Sequence, residues 1–171
     1  GWAYAVNGVT GNLTAIAIKD MKSSEKTDLL DGNDIDVKSM VEENCAGFVY
    51  GDMTSVAVSE DGSKLAVAIQ AENYADTGRV ALFTCNADGT LTFDKVYETG
   101  VQPDMVTFAS NDSKILTADE GEPRDGYGDG IIDPKGTVTI INLADQTVSQ
   151  VDFTSYDNSD SREQLVESGV I

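Results

Sequence analysis

The sequence predicts an all-β fold made of repeated four-stranded antiparallel sheets, and three observations carry that prediction. The stretch Thr54-Ser-Val-Ala-Val-Ser-Glu-Asp-Gly-Ser-Lys-Leu-Ala-Val-Ala68 lies over Asp104-Met-Val-Thr-Phe-Ala-Ser-Asn-Asp-Ser-Lys-Ile-Leu-Thr-Ala118 at a constant offset of 50 residues. Each copy is an apolar run of period two, a turn and a second apolar run, the pattern of a hairpin whose turn needs a positive φ. Both copies then continue alike: Gly78-Arg-Val-Ala-Leu-Phe83 answers Gly136-Thr-Val-Thr-Ile-Ile141, and a further short run follows in each, over 91–97 and 147–153. Four short strands at a period near 50 are the unit of a β-propeller, one blade. A β-sandwich would show strand-turn-strand patterns too, but not a match running through all four strands.

The chain divides on this scheme into residues 1–50, an incomplete first blade; 51–99, a blade; 100–154, a blade; and 155–171, a linker or short helix leading to a following blade. In the first blade, 2–6 is the second strand, 11–18 the third and 34–38 the fourth, and the innermost strand is missing. Gly32-Asn33 marks a turn and 40–44 a short helical turn. Near the end, Asp160 or Ser161 offers an N-cap and Gly169 a stop. A propeller closes with roughly four to eight blades, so about three are read as part of a larger ring. The unpaired edges would then be covered by the remainder of the propeller or by a second copy of the chain. Alone, it is expected to associate or aggregate; a monodisperse 18.2 kDa species in solution scattering would contradict that.

Composition narrows the chemistry. The net charge of −19 repels phosphate backbones and anionic lipid surfaces, so no nucleic-acid partner is expected, and no apolar span is long enough for membrane insertion. Beginning at Gly1 without a leader, the chain reads as a mature fragment. Histidine is absent, which removes the Ser-His-Asp and Cys-His arrangements and the usual general base from what these residues supply. Cys45 and Cys85, far apart in sequence, are either one disulfide or two buried thiols; in an acidic, Thr/Ser/Asp-rich β protein of exported character the bridge is the favoured reading.

The third observation is the insertion that lengthens the second copy by eight residues. Residues 118–136 hold six carboxylates, five glycines and two of the three prolines between two strands, a composition that excludes core. From Asp125 the run Asp-Gly-Tyr-Gly-Asp-Gly-Ile-Ile-Asp133 places acids at the first, fifth and ninth positions of a calcium loop and Gly130 at its sharp turn. Calcium takes six to eight oxygens, which alternating carboxylates and carbonyls can provide. Tyr127 and Gly136 break the EF-hand pattern at the third and twelfth positions. The candidate calcium set is therefore Asp119, Glu120, Glu122, Asp125, Asp129 and Asp133. The competing reading is a solvated acidic loop whose Asp-Gly pairs form turns.

In a propeller, the loops joining second to third strands share one face with those joining blades. Glu72, Asp76, Asp52 and Asp104 would thus crowd the same rim as the acidic loop, giving a negative funnel suited to a cation or cationic ligand. Strand-end capping is the plainer role for Asp52 and Asp104, and Arg79 and Arg124 serve as counter-charges. Trp2, Tyr4, Phe83, Phe93, Tyr97, Phe108 and Phe153 are assigned to inter-blade core. Tyr74 and Tyr127 fall in rim loops, where a ring could meet a sugar or peptide.

The segments Thr54-Ser-Val-Ala-Val-Ser-Glu-Asp-Gly62, Pro103-Asp-Met-Val-Thr-Phe108, Ala118-Asp-Glu-Gly-Glu-Pro123, Gly136-Thr-Val-Thr-Ile-Ile141 and Glu167-Ser-Gly-Val-Ile171 resemble the choice-of-anchor I family of bacterial surface propellers. That family is related to mesenchyme-specific cell surface glycoprotein-like sequences and the YVTN-type propellers. The resemblance covers 51–171 well and 1–50 loosely. It implies a seven-bladed type of propeller, exported and tethered to or released from the surface, and it brings no catalytic residue set.

Three functions follow. The first is a secreted or cell-surface binding module for an unknown extracellular ligand, with calcium stiffening the acidic rim. The second, its alternative, is a calcium-dependent phosphoester hydrolase of the phytase or alkaline phosphatase-like propeller kind, with Arg79, Arg124 and Lys135 near enough for phosphate oxygens. The third is a purely architectural spacer. The binding module is the preferred reading.

Overall fold

In the computed structural model, residues 1–18, 33–156 and 159–169 are described. Three antiparallel sheets follow one another along the chain. The first joins β1 (Trp2–Asn7), β2 (Asn12–Ala17) and β3 (Asn33–Asp36). The second joins β4 (Tyr50–Val58), β5 (Lys64–Ala71), β6 (Thr77–Cys85) and β7 (Leu91–Val101). The third joins β8 (Pro103–Ala109), β9 (Lys114–Asp119), β10 (Thr137–Asn142) and β11 (Val148–Asp152). Each sheet is a meander in which consecutive strands pair, the arrangement of propeller blades.

The repeat extends into irregularities that the residues alone do not announce. Both inner hairpins carry a β-bulge: between Met53 and Ser55 in one and between Pro103 and Met105 in the other, so the bulged residues are Thr54 and Asp104, again 50 apart. The turns correspond as well. Gly62 has φ 73°, and its counterpart Asp112 has φ 60°, the left-handed region that a short polar side chain tolerates. A bulge re-aims the strand locally, and beside these two the inner strands are joined. The Thr54 hydroxyl donates to the Pro103 carbonyl at 2.6 Å, and the Val106 amide donates to the Ser55 hydroxyl at 3.2 Å. On the opposite face, Asp112 accepts from the Glu60 amide at 2.8 Å, so the turn of the third sheet caps that of the second.

Packing explains the differing apolar patterns. In β5, Leu65, Val67 and Ile69 face the first sheet while Ala66 and Ala68 face the third, and all five are fully buried. A strand covered on both faces reads as an unbroken apolar run. The core between sheets one and two also holds Leu13, Ile35, Phe48 and Phe83, with the Phe83 and Phe93 rings edge-on at 5.8 Å. Val80, Leu82, Tyr97, Val106, Ile115 and Ile141 fill the seam between sheets two and three. The outer face of the third sheet is open: β11 is exposed throughout, and Val148, Val151 and Phe153 lie on the surface. Phe153 is therefore not core as expected, being 54% exposed.

Three other details differ from expectation. Helix α1 (Val37–Asn44) is longer than one turn and cuts the fourth strand short at Asp36. The cause is a cap: Asp36 accepts from the Ser39 amide at 2.9 Å and the Ser39 hydroxyl at 2.7 Å, which holds its carboxyl below the usual range. Strand β7 runs on to Val101, four residues past the expected end, because bulges keep it paired with β6. Cys45 and Cys85 are both free thiols; Cys45 accepts from Arg79 Nε at 3.1 Å, and burial pushes the Cys85 thiol up. The expected disulfide is not formed. At the chain's far end, α2 (Ser159–Glu167) stops at Gly169, φ 76°, as its sequence predicts.

Candidate binding rim

The acidic loop begins at Glu120, two residues later than the 118–136 stretch suggests. Asp119 is still strand: it is buried with Thr117, Thr137 and Thr139 in the seam between sheets two and three. Its Oδ1 accepts from the Thr117 hydroxyl at 2.7 Å. Its Oδ2 accepts from Thr139 at 2.6 Å, Thr137 at 2.8 Å and the Gly100 amide at 3.2 Å. Neutral donors satisfy a buried carboxylate here, as burial demands. The signal was in the sequence, because Ile115, Thr117 and Asp119 alternate in period two on one face.

Beyond Asp119 the loop is pinched at a neck. Gly121 has φ 59°, and a Cβ there would stand 2.4 Å from the Lys135 carbonyl carbon on the returning leg, so only glycine fits. The Glu120 and Gly121 amides bond the Gln102 and Val101 carbonyls at 3.0 and 3.1 Å. Gln102 then acts as a clamp. It is buried with φ 57°; its amide nitrogen donates to the carbonyls of Tyr74 at 3.0 Å and Glu122 at 2.7 Å. Its amide oxygen accepts from the Glu122 amide at 3.3 Å and Arg124 Nη2 at 3.2 Å. One side chain thus ties the β5–β6 loop to the β9–β10 loop. Sequence reasoning missed it, since a residue before proline is expected to be extended rather than left-handed.

Past the neck the loop is solvated. Gly126, Gly128 and Gly130 have φ of 90°, 144° and 81°, and Tyr127 is 84% exposed beside exposed Asp125, Asp129, Ile132 and Asp133. Asp125 is held: the Tyr74 hydroxyl donates to its Oδ2 at 3.0 Å, and burial together with that carboxylate raises the Tyr74 pKa. Glu122 pairs with Arg124 at 3.6 Å and Lys135 with Asp152 at 3.7 Å, both exposed. Of the six candidate calcium ligands, Asp119 thus faces the core and the other five are spread along the loop. Among the described residues, no three acidic or cysteine side chains converge as a metal-holding group.

Glu72 and Asp76 lie on the β5–β6 loop, beside a cleft of about 400 Å³ that is also lined by Phe48, Val49, Ala75 and Arg79. Arg79 sits at the back, 13% exposed, bonded to the Thr77 and Gly78 carbonyls, paired with Glu98 at 3.3 Å and stacked 4.8 Å from the Phe48 ring. It is a structural cation, not a surface counter-charge. Asp104 is exposed at its bulge, and Asp52, also exposed, approaches Gly8 of the first sheet. Gln102 and Tyr74 thus join the β5–β6 loop of the second sheet to the β9–β10 loop of the third.

Comparison with known proteins places this architecture. The model of the choice-of-anchor I domain matches residues 3–171, and the chain belongs to that family, one of bacterial cell-surface proteins. No curated protein sequence matches. Among solved structures, a putative 6-phosphogluconolactonase from Bacteroides uniformis superposes with a TM-score of 0.56 at 15% identity, over 89% of this chain and 37% of that one. The periplasmic gluconolactonase PpgL of Pseudomonas aeruginosa gives 0.55 at 16%, over 88% and 35%, and the hydrazine synthase of Kuenenia stuttgartiensis 0.53 at 13%, over 89% and 34%. These likenesses define the fold as a β-propeller. The chain spans about a third of the length of each. Among the described residues, no helix is long and apolar enough to cross a membrane.

Proposed function

We propose that this chain is the part of a bacterial cell-surface propeller that presents an acidic rim to a cationic extracellular ligand. The observation that carries the reading is the joining of adjacent blades' loops through Gln102 and the Tyr74–Asp125 bond. These contacts fix the base of the rim and leave exposed carboxylates and Tyr127 at its crest. A negative surface anchored on a rigid scaffold draws cations and gives binding that weakens with salt. Calcium is part of the proposal: the glycine-rich crest from Asp125 to Asp133 would close around an ion using Asp125, Asp129 and Asp133 with loop carbonyls. The open face of the third sheet, with Val148, Val151 and Phe153, would be covered by further propeller sheets or a second copy.

The test is calcium titration by calorimetry on chelator-treated protein, with thermal melts at each concentration, followed by binding to polylysine and polyglutamate at low and high salt. Saturable calcium binding that raises the melting temperature and is lost in Asp125→Ala and Asp129→Ala supports the ion. Polylysine binding that weakens with salt supports the rim; indifference between the two polymers sinks it. Calcium-dependent phosphoester hydrolysis would need several acids around shared ions. The described residues give that reading no converging set, and the lactonase names of the structural neighbours, at such low identity, speak to fold alone.

A further inference from the structure

Exposed Asp-Gly pairs carry a slow chemistry of their own. The glycine amide nitrogen attacks the aspartyl side-chain carboxyl carbon, one water leaves, and a five-membered succinimide forms. Water then opens the ring at either carbonyl, returning aspartate or giving isoaspartate, in which the main chain runs through the former side-chain carboxyl. Mass and charge are unchanged overall. The step needs a mobile carboxyl group, an amide free to turn onto it, and no side chain in the way, which is why glycine in the second position favours it.

The sequence holds five Asp-Gly pairs, and the four that fall among the described residues form a graded series. At Asp61-Gly62 both reacting groups are tied: Asp61 Oδ1 accepts from the Ser59 hydroxyl and the Ser63 amide at 2.8 Å each, and the Gly62 amide donates to the Ser59 carbonyl at 2.9 Å. Asp88-Gly89 is tied in the same way. Asp88 Oδ1 accepts from the Thr90 amide at 3.1 Å and the Thr90 hydroxyl at 2.7 Å, while the Gly89 amide donates to Asn86 at 3.1 Å. These are Asx turns inside tight hairpins, which hold the carboxylate away from the next nitrogen.

At Asp125-Gly126 the carboxylate is held only by the Tyr74 hydroxyl, at 3.0 Å. At Asp129-Gly130 neither the carboxylate nor the glycine amide has a hydrogen-bond partner among the described residues. Both residues are exposed, and a Cβ placed on Gly130 would meet nothing within 4 Å. We infer that Asp129 is a site of spontaneous isoaspartate formation, with Asp125 restrained by Tyr74 and Asp61 and Asp88 protected by their turns. The consequence is an extra main-chain methylene at the crest of the rim, in a position that changes the reach of the loop without changing its charge.

Ageing the intact chain at mildly acidic pH and 37 °C tests this, with isoaspartate located by electron-transfer fragmentation of its peptides and counted by enzymatic methylation. The chain's one Asn-Gly pair, Asn7-Gly8, releases ammonia and gains mass, so it is separable in the same spectra. Among these four sites isoaspartate is expected first at Asp129, less at Asp125 and none above background at Asp61 and Asp88; the fifth pair, Asp31-Gly32, lies outside the described residues and is scored separately from its own peptide. Tyr74→Phe should raise Asp125 to the level of Asp129 and leave Asp129 unchanged, and in denaturant all four sites should react alike. Isoaspartate at Asp61 or Asp88 before Asp129, equal yields at all four sites in the folded chain, or the same hierarchy in denaturant would each overturn the inference.

Discussion

The Tyr74 hydroxyl and Asp125 Oδ2, 51 residues apart in sequence, meet at 3.0 Å where the loops of two adjacent blades touch. That contact and the Gln102 clamp below it turn two separate loops into one surface. The clamp is buried while the contact is exposed, so the two respond to different perturbations.

Alkaline pH should act through the tyrosines. Burial, ahead of Cys85 at Tyr4 and of Asp52 at Tyr50, raises these two pKa values to about 12, and Tyr74 and Tyr97 are raised as well. A group whose pKa is higher folded than unfolded favours the fold while protonated. Its contribution is complete below the unfolded value of 10 and is lost as pH rises through the folded one. Melting temperatures should therefore fall between about pH 10 and 12, and Tyr50→Phe should flatten part of that decline. Thermal melts by circular dichroism across this range check it.

Asp119→Ala should be among the costly single changes. It takes the acceptor from three buried threonine hydroxyls in the seam between sheets two and three and leaves the Gly100 amide only its bond to the Thr139 hydroxyl, a loss of about 3 kcal/mol or more. Urea unfolding measures it. If Asp119 were instead a loop carboxylate free for ligands, the change would lie within about 0.5 kcal/mol.

Gln102→Ala should cost about 1–2 kcal/mol, since it removes the amide clamp and keeps the left-handed backbone. Gln102→Gly relieves the backbone and still loses the clamp, so it should be the milder of the two. Proteolysis within 124–134 should accelerate in both variants, because the loop then lacks its buried tether.

Gly89→Ala should destabilise by at least about 1 kcal/mol. Gly89 has φ 86°, and a Cβ there would lie 2.5 Å from the Trp2 ring, whose indole donates to the Ala87 carbonyl at 3.1 Å. The Trp2 fluorescence spectrum should shift in the same variant, reporting that the first sheet has moved off the second.

Much of the fold was legible because it repeats. The offset between Val56 and Val106 predicted the inner hairpins, and the match of Gly78 with Gly136 predicted the third strands. Asp36 was harder, because a strand ending in an aspartate and a helix beginning from one look alike until Ser39 is seen to fold back on it. The candidate site was legible only as composition. Which carboxylate faces in and which faces out was decided by strand phase at Asp119, which ordinary alternation would have revealed. The clamp at Gln102 was not, since the left-handed backbone ahead of Pro103 runs against that residue pair's local preference. Arg79 reads as a surface charge because nothing near it in sequence announces Phe48 or Cys45.

The catches between the second and third sheets come from both sides. Thr54 of the second sheet grips the Pro103 carbonyl, while Asp112 of the third reaches back to the Glu60 amide. The two catches sit at opposite ends of the paired inner strands, Thr54 and Pro103 near their starts and Glu60 and Asp112 just past their ends. Sliding one sheet along the other therefore breaks at least one of them, and the seam resists shear as well as separation.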